Sequence, residues 1–187
     1  MPAKVVGPRD GKAGFLGSIG VRFMIDGEEA GERFSLVEHP MSARALAAPL
    51  HRHTREDEYS YVLEGRMGAL LGDEVLVASP GDLVFKPRNQ WHTFWNAGDV
   101  PARILEIISP AGFERFFAEL VGLGASARHL RRFSRISARA TASKWIPRVS
   151  QGSSSVSVCA FRVIPCRRIY QRRPRGWQGL PVSPVAY

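Results

Sequence analysis

The stretch His51-Arg52-His53-Thr54-Arg55-Glu56-Asp57-Glu58-Tyr59-Ser60-Tyr61-Val62-Leu63-Glu64-Gly65 decides how the rest of the chain is read. On a strand, side chains alternate between faces, so His51 and His53 point one way and Arg52 the other. A charged turn, Thr54 to Asp57, separates them from Glu58, which begins the next strand, and Gly65 ends that strand. Two neutral imidazole nitrogens and one hard anionic oxygen, brought from neighbouring strands, make a donor mixture that divalent Fe, Mn, Ni, Co, Cu and Zn all accept.

His-x-His alone is a weak signal. A second cluster gives it weight. Gly81 is followed by Pro87, His92 and Asn96, and an antiparallel barrel can fold His92 back over the first cluster. The chain has five histidines, and three of them fall on this pattern. His39, in a Glu-His-Pro stretch at a strand end, and His129, in a basic segment, read as structural. The candidate metal ligands are therefore His51, His53, Glu58 and His92. Iron(II) is the first expectation for the ion, with Mn, Ni, Co, Cu or Zn as alternatives. Four protein donors leave an octahedral ion about two positions for water, substrate or dioxygen.

Working outward, residues 14–109 read as short strands between turn signals. Gly20 to Ile25 ends at Asp26-Gly27, a hairpin-type pair. Arg33 to Glu38, Ala45 to His53, Glu58 to Leu63, Arg66 to Leu71 and Glu74 to Ala78 follow. Ser79-Pro80-Gly81-Asp82 has Pro and Gly where a type II turn requires them. Leu83 to Lys86, His92 to Trp95 and Ala102 to Ser109 complete the series. Strands this short and evenly spaced predict an all-β antiparallel barrel or sandwich. One helix is expected next, with Ser109-Pro110 at its cap and first turn. Phe113, Phe116, Phe117 and Leu120 recur at helical spacing, and Gly122 and Gly124 end it.

Charge divides the chain. Residues 1–127 hold 13 Lys+Arg and 17 Asp+Glu, whereas residues 128–187 hold 13 Lys+Arg and no acid. The overall +9 therefore belongs to the C-terminal stretch. The domains read as a metal-binding barrel over 1–126 and a basic, disordered tail over 127–187, which shows no period and should not pack a core of its own. Arg131, Arg132, Arg135, Arg167, Arg168, Arg172, Arg173 and Arg175 could neutralise phosphates, so nucleic acid is a partner through the tail if at all. The favoured reading is an out-of-frame translation of a GC-rich gene, because a binding arm usually carries more Lys than the single Lys144. Cys159 and Cys166 read as free thiols. No run of about 18 apolar residues suggests a membrane span, and no apolar signal segment opens the chain, so the expected location is the cytoplasm.

The two clusters resemble the two motifs of the cupin family. HRHTREDEYSYVLEG is similar to HxHx4Ex6G, and GDLVFKPRNQWHTFWN, residues 81–96, to Gx5PxGx2Hx3N. Fifteen residues lie between them. ARILEIISPAGFERFFAEL looks like the end strand and closing helix, and the likeness covers roughly residues 14–121. It implies an antiparallel double-stranded β-helix, or jelly roll, with metal in its mouth. Two positions depart from the motifs. Ala45 stands where a Gly usually opens the first, and Asn89 replaces the Gly of PxG. Asn tolerates a left-handed backbone better than other non-Gly residues, so that turn can survive.

Fold likeness does not fix a reaction. The residues expected to face inward as a substrate pocket are Met24, Phe34, Leu36, Phe94, Asn96 and Ile107, with Trp95 also considered. No Arg or Lys pair is evident on the inward face, which argues against a sugar-phosphate substrate. The expectation is an oxygenase of the quercetin dioxygenase-like kind, acting on a small aromatic or enolic molecule, with Glu58 leaving the metal to act as catalytic base. The competing expectation is a non-catalytic cupin that binds a small ligand as a sensor or storage module. A homodimer is also expected, joined through Gly14 to Ile25, whose Phe15, Leu16, Val21 and Phe23 call for burial.

Overall fold

The computed structural model describes residues 3–17, 19–122 and 159–162. Eleven strands and one helix are found among them. They are β1 (Ala13–Phe15), β2 (Gly20–Ile25), β3 (Ser35–Met41), β4 (Leu50–His53), β5 (Asp57–Glu64), β6 (Met67–Leu71), β7 (Glu74–Ala78), β8 (Leu83–Lys86), β9 (His92–Asn96), β10 (Ala102–Ser109), α1 (Glu114–Gly122) and β11 (Cys159–Arg162). Two antiparallel sheets result, in the orders β1-β2-β3-β10-β5-β8 and β11-β4-β9-β6-β7. The fold is the all-β jelly roll expected of a cupin.

Alternation sets the core. On β10, Ala102, Ile104, Glu106 and Ile108 are buried and the residues between them are half-exposed. Val37 and Met41 of β3 and Val62 of β5 join Ile104 and Ile108 in one apolar cluster with Met67, Val84 and Phe94. The phenylalanines of the helical segment behave as expected. Phe113 and Leu120 are buried, and Phe116 and Phe117 pack against the cluster. α1 thus packs its apolar face on the barrel core.

Two local expectations are corrected. Asp26-Gly27 does not make a two-residue hairpin. It opens a longer loop in which the Asp26 carboxylate accepts from the Glu29 amide at 2.9 Å, and the Gly27 carbonyl accepts from Glu32 at 2.7 Å. Ser109-Pro110 is not the helix cap either. Ser109 is the last residue of β10, paired with Asp57, and the helix begins at Glu114. Other turn chemistry reads true. Asp82 donates to the Ser79 carbonyl at 2.9 Å, and Gly81 has φ +96°, as a type II turn requires. Asn89 takes φ +66°, the left-handed conformation that its replacement of Gly demanded.

β11 was not anticipated. Four residues of the basic stretch pair antiparallel with β4, Cys159 opposite His53 and Phe161 opposite His51. The expectations of disorder and of a nucleic-acid contact from the remaining basic residues fall outside the described residues.

Candidate metal centre

β4, β5 and β9 bring the four sequence-predicted ligands together. His51 stands directly opposite His92 in the β4–β9 pairing, and their ring centroids are 4.3 Å apart. His53 follows His51 on the same face of β4, and Glu58 enters from β5 in the facing sheet. All four are buried, with relative exposures of 1–3%. One ligand atom from each lies within 4.8 Å of every other, a group able to hold a metal ion. His53 Nε2 is 3.2 Å from one Glu58 oxygen, and His92 Nε2 is 3.3 Å from the other.

Local backbone orients the rings. His51 Nδ1 lies 2.8 Å from the Pro49 carbonyl, and His92 Nδ1 lies 3.0 Å from the Gln90 carbonyl. A carbonyl can only accept, so each Nδ1 carries the proton and each Nε2 offers a lone pair to the centre. Burial, with His92 alongside, pushes the His51 imidazole down to about 3, and burial lowers that of His92 also. Neutral imidazoles converging on a carboxylate, lone pairs inward, are a donor set that a divalent cation fits. Behind His53 stands Glu56, also buried, with Oε2 3.9 Å from His53 Nδ1; burial pushes its carboxyl up.

One functional residue escaped the sequence reading. Lys86 on β8 points inward, 1% exposed, with its Nζ 2.8 Å from Glu58 Oε2 and 2.6 Å from Glu106 Oε1. Ser60 donates to the other Glu106 oxygen at 2.9 Å. No local signal in the sequence marked it. Val84 and Lys86 alternate inward with Leu83 and Phe85 outward. Lys86 is a single inward cation and not an Arg or Lys pair, and two carboxylates neutralise it where it stands. Burial alone would raise the Glu58 carboxyl, but Lys86 and the two histidines overcome it and hold it well below the carboxylate range. Glu106 is pushed up to about 6, chiefly by burial, with Glu58 adding and Lys86 opposing. A carboxylate so held is a firm ligand and a weak base, which counts against the expected role of Glu58 as catalytic base.

The predicted pocket residues separate into two groups. Phe94 is buried beside the centre, with Lys86 Nζ 4.4 Å from its ring centroid. Phe113, from the segment before α1, meets the His53 ring at 4.3 Å. Asn96 is buried, but its side chain is committed to backbone. It donates to Ser42 and Val100 carbonyls at 3.0 and 2.7 Å and accepts from Gly98 at 2.8 Å. Leu36 and Ile107 are paired with one another on the outer face, because the buried residues of β3 and β10 are their sequence neighbours. Met24 sits at a register shift in β2, its sulfur 3.6 Å from the Arg22 guanidinium, and Phe34 lies half-buried in the loop before β3. Leu36 and Ile107 thus face away from the metal centre. Trp95 also turns away, across Gly68, where an added Cβ would meet its ring at 2.3 Å.

Comparison with known proteins agrees with this geometry. The family model described as a cupin domain matches residues 41–108. The tetracenomycin polyketide synthase protein TcmJ of Streptomyces glaucescens is 28% identical over 89 residues, 48% of this chain and 60% of that protein. An uncharacterised protein of Methanocaldococcus jannaschii is 35% identical over 66 residues, 35% of this chain and 50% of its own length. The chain thus spans 50–60% of these curated relatives. Among solved structures, the polyketide cyclase RemF from Streptomyces resistomycificus is 31% identical with a TM-score of 0.50, covering 58% of this chain and 80% of that one. KdgF from Halomonas sp. has a TM-score of 0.53 at 18% identity, covering 61% and 99%, and speaks for the fold alone. By its two motifs, its double-sheet barrel and these similarities, the chain belongs to the cupin family.

Proposed function

We propose that this cupin is a metal-dependent enzyme acting on an enolic or phenolic substrate of polyketide type. The observation that carries the reading is a buried three-histidine, one-carboxylate centre walled by Phe94 and Phe113. A bound divalent ion would supply Lewis acidity toward an enol or carbonyl oxygen. The chain's own residues do the rest. Pro49 and Gln90 carbonyls fix the His51 and His92 rings, Lys86 keeps Glu58 ionised and in place, and the phenylalanines exclude water and stack against a flat carbon skeleton.

The similarity to a polyketide cyclase and to a polyketide synthase protein favours ring closure, in which an enol carbon adds to a carbonyl carbon and water is lost. The expected oxygenase is the second reading, favoured by a set of four protein donors that would leave a divalent ion able to take further ligands. Purified protein, loaded in turn with Fe(II), Ni(II) and Zn(II), is incubated with a linear poly-β-ketone and with a flavonol under an oxygen electrode. A product lighter by one water without oxygen uptake supports ring closure. Metal-dependent oxygen uptake supports the oxygenase. Tight binding with neither outcome replaces both with a ligand-binding module.

A further inference from the structure

His39 is a buried imidazole that the metal centre does not use. It lies on β3, on the same inward face as Val37 and Met41, and is 1% exposed. Its Nδ1 is 2.8 Å from the Gly20 carbonyl. A carbonyl only accepts, so Nδ1 carries the proton and Nε2 presents a lone pair. Burial pushes the ring down to about 4, so at neutral pH it is uncharged and keeps that lone pair. Nε2 is itself buried and has no hydrogen-bond partner. Native interiors rarely leave such an acceptor unpaired, because its lost hydration is not replaced.

The ring is set among aromatic side chains that lead back to the metal centre. It meets Phe117 edge-on at 5.1 Å and Phe94 at 6.5 Å between centroids. Phe117 meets Phe113 at 5.0 Å, and Phe113 meets the His53 ring at 4.3 Å. On the other side Phe94 has Lys86 Nζ 4.4 Å from its centroid, and Lys86 holds Glu58 at 2.8 Å. The two aromatic walls of the centre thus run together at His39, and the charges of Lys86 and Glu58 are both felt there.

Chemistry narrows what the lone pair can take. A bare nitrogen acceptor needs a donor, which a carboxylate or a phosphate dianion does not offer. A metal ion needs several ligands, and the group able to hold one among the described residues is His51, His53, Glu58 and His92, without His39. A neutral hydroxyl on a flat carbon skeleton suits both the acceptor and its aromatic surroundings. We propose that His39 Nε2 accepts a hydrogen bond from a second hydroxyl of the substrate, remote from the oxygen that meets the metal. His39 is then a specificity-determining residue, and no proton leaves the substrate through it. The inference rests on the enolic or phenolic substrate proposed above and narrows it to molecules with a second hydroxyl. His39 read as structural in the sequence; its unpaired Nε2 is the observation that revises this.

The probes are isomeric dihydroxynaphthalenes and their monomethyl ethers, which lose one donor. Nitrogen NMR of the full chain carrying isotope-labelled histidine reads His39 Nε2 directly, in Zn(II)-loaded and in chelator-treated protein. At least one diol should move that signal in the direction of an accepted hydrogen bond, and one of its ethers should not. By calorimetry that diol should bind at least about tenfold more tightly than the ether. His39→Phe, which keeps a ring and removes the acceptor, should abolish the preference, and His39→Gln, which returns an acceptor oxygen, should restore part of it. The NMR measurement on the parent holds even where a variant fails to fold. A His39 signal indifferent to every diol, as a resident buried water would leave it, overturns the proposal. So does a diol preference that survives His39→Phe, or binding of no diol at all. Turnover without a His39 response sinks this inference alone, whereas a His39-dependent preference without turnover sinks the enzymatic reading and leaves the acceptor role standing.

Discussion

Replacing Lys86 with Met tests the electrostatics of the centre at its least expected point. The substitution keeps the length of the buried chain and removes its charge, leaving Glu58 and Glu106 to face each other without the cation between them. Removing one member of a buried ion pair costs about 3–5 kcal/mol. Protonation sets a ceiling. Neutralising a carboxyl with an ordinary pKa near 4.5 costs about 3 kcal/mol at pH 7, and the variant takes that route when it is cheaper. The expected loss of unfolding free energy is therefore about 3 kcal/mol at pH 7, measured by urea titration of chelator-treated protein. The pH dependence carries a second signature. A carboxyl raised in the folded state makes that state bind more protons, so acid stabilises it. For Glu106 this gain begins near pH 6 in the parent and at higher pH in the variant, where Lys86 no longer opposes it. The gap between the two should narrow as pH falls from 8 to 6, by up to about tenfold in the folding constant per pH unit, and then level off. A gap below about 1 kcal/mol at pH 7, unchanged from pH 8 to 6, would refute the claim that Lys86 neutralises buried carboxylates.

Three other outcomes are expected. His51→Ala, His53→Ala and His92→Ala should each lose most bound metal, read by elemental analysis of protein dialysed against one divalent ion; full occupancy in His92→Ala contradicts the assigned donor set. Asn96→Ala should cost about 3 kcal/mol of stability, from three backbone hydrogen bonds at about 1 kcal/mol each, while metal stoichiometry stays unchanged; a loss of metal with no loss of stability would return Asn96 to the pocket. Metal-free protein should lose stability on acidification from about pH 6.5 to 4, because His51 and His39 are held down to about 3 and about 4 and the unfolded chain binds protons that the folded chain refuses. His92, also held down, adds to this loss, and the raised Glu56 and Glu106 offset part of it, so stability should still fall with acid but with a slope below three protons. A flat stability profile over that range contradicts the burial of both rings.

β2, β7, β8 and β10 were legible because Gly, Pro and Asp turn signals bound short, mostly apolar runs on both sides. The four ligands were legible for a related reason, since two short motifs fix both residue type and spacing. What failed was the assignment of faces on strands without a chemical marker. Leu36 and Ile107 look like core residues by composition, yet their neighbours Val37 and Ile108 are the buried ones. An apolar outer face defeats the rule that the hydrophobic side points inward. Lys86 failed in the opposite sense. A lysine on a strand reads as solvated, and nothing local announces that Glu106, twenty residues on, will stand beside it. Ser109-Pro110 misled because a strand that runs on to Ser109 and a helix cap beginning there look alike without the pairing to Asp57.

The same lysine bears on the choice of substrate. The absence of an inward cation pair was first an argument against phosphate, and an inward lysine reopens that question. Its partners close it again. Lys86 Nζ lies within 2.8 Å of two carboxylates and has no exposed surface, so its charge is met within the protein. Its effect is on total charge. Glu58 and Glu106 carry two negative charges at neutral pH and Lys86 cancels one of them. With a divalent ion among the four donors, Glu58, Glu106 and Lys86 would together leave one net positive charge, and burial pushes the nearby Glu56 carboxyl toward its neutral form. A singly charged enolate or phenolate brings that to neutrality, whereas a phosphate dianion would leave an excess charge in a low-dielectric site, at considerable cost. On the proposed function, a charge balance of this kind would favour a singly charged enolate or phenolate over a phosphate dianion beside Phe94 and Phe113.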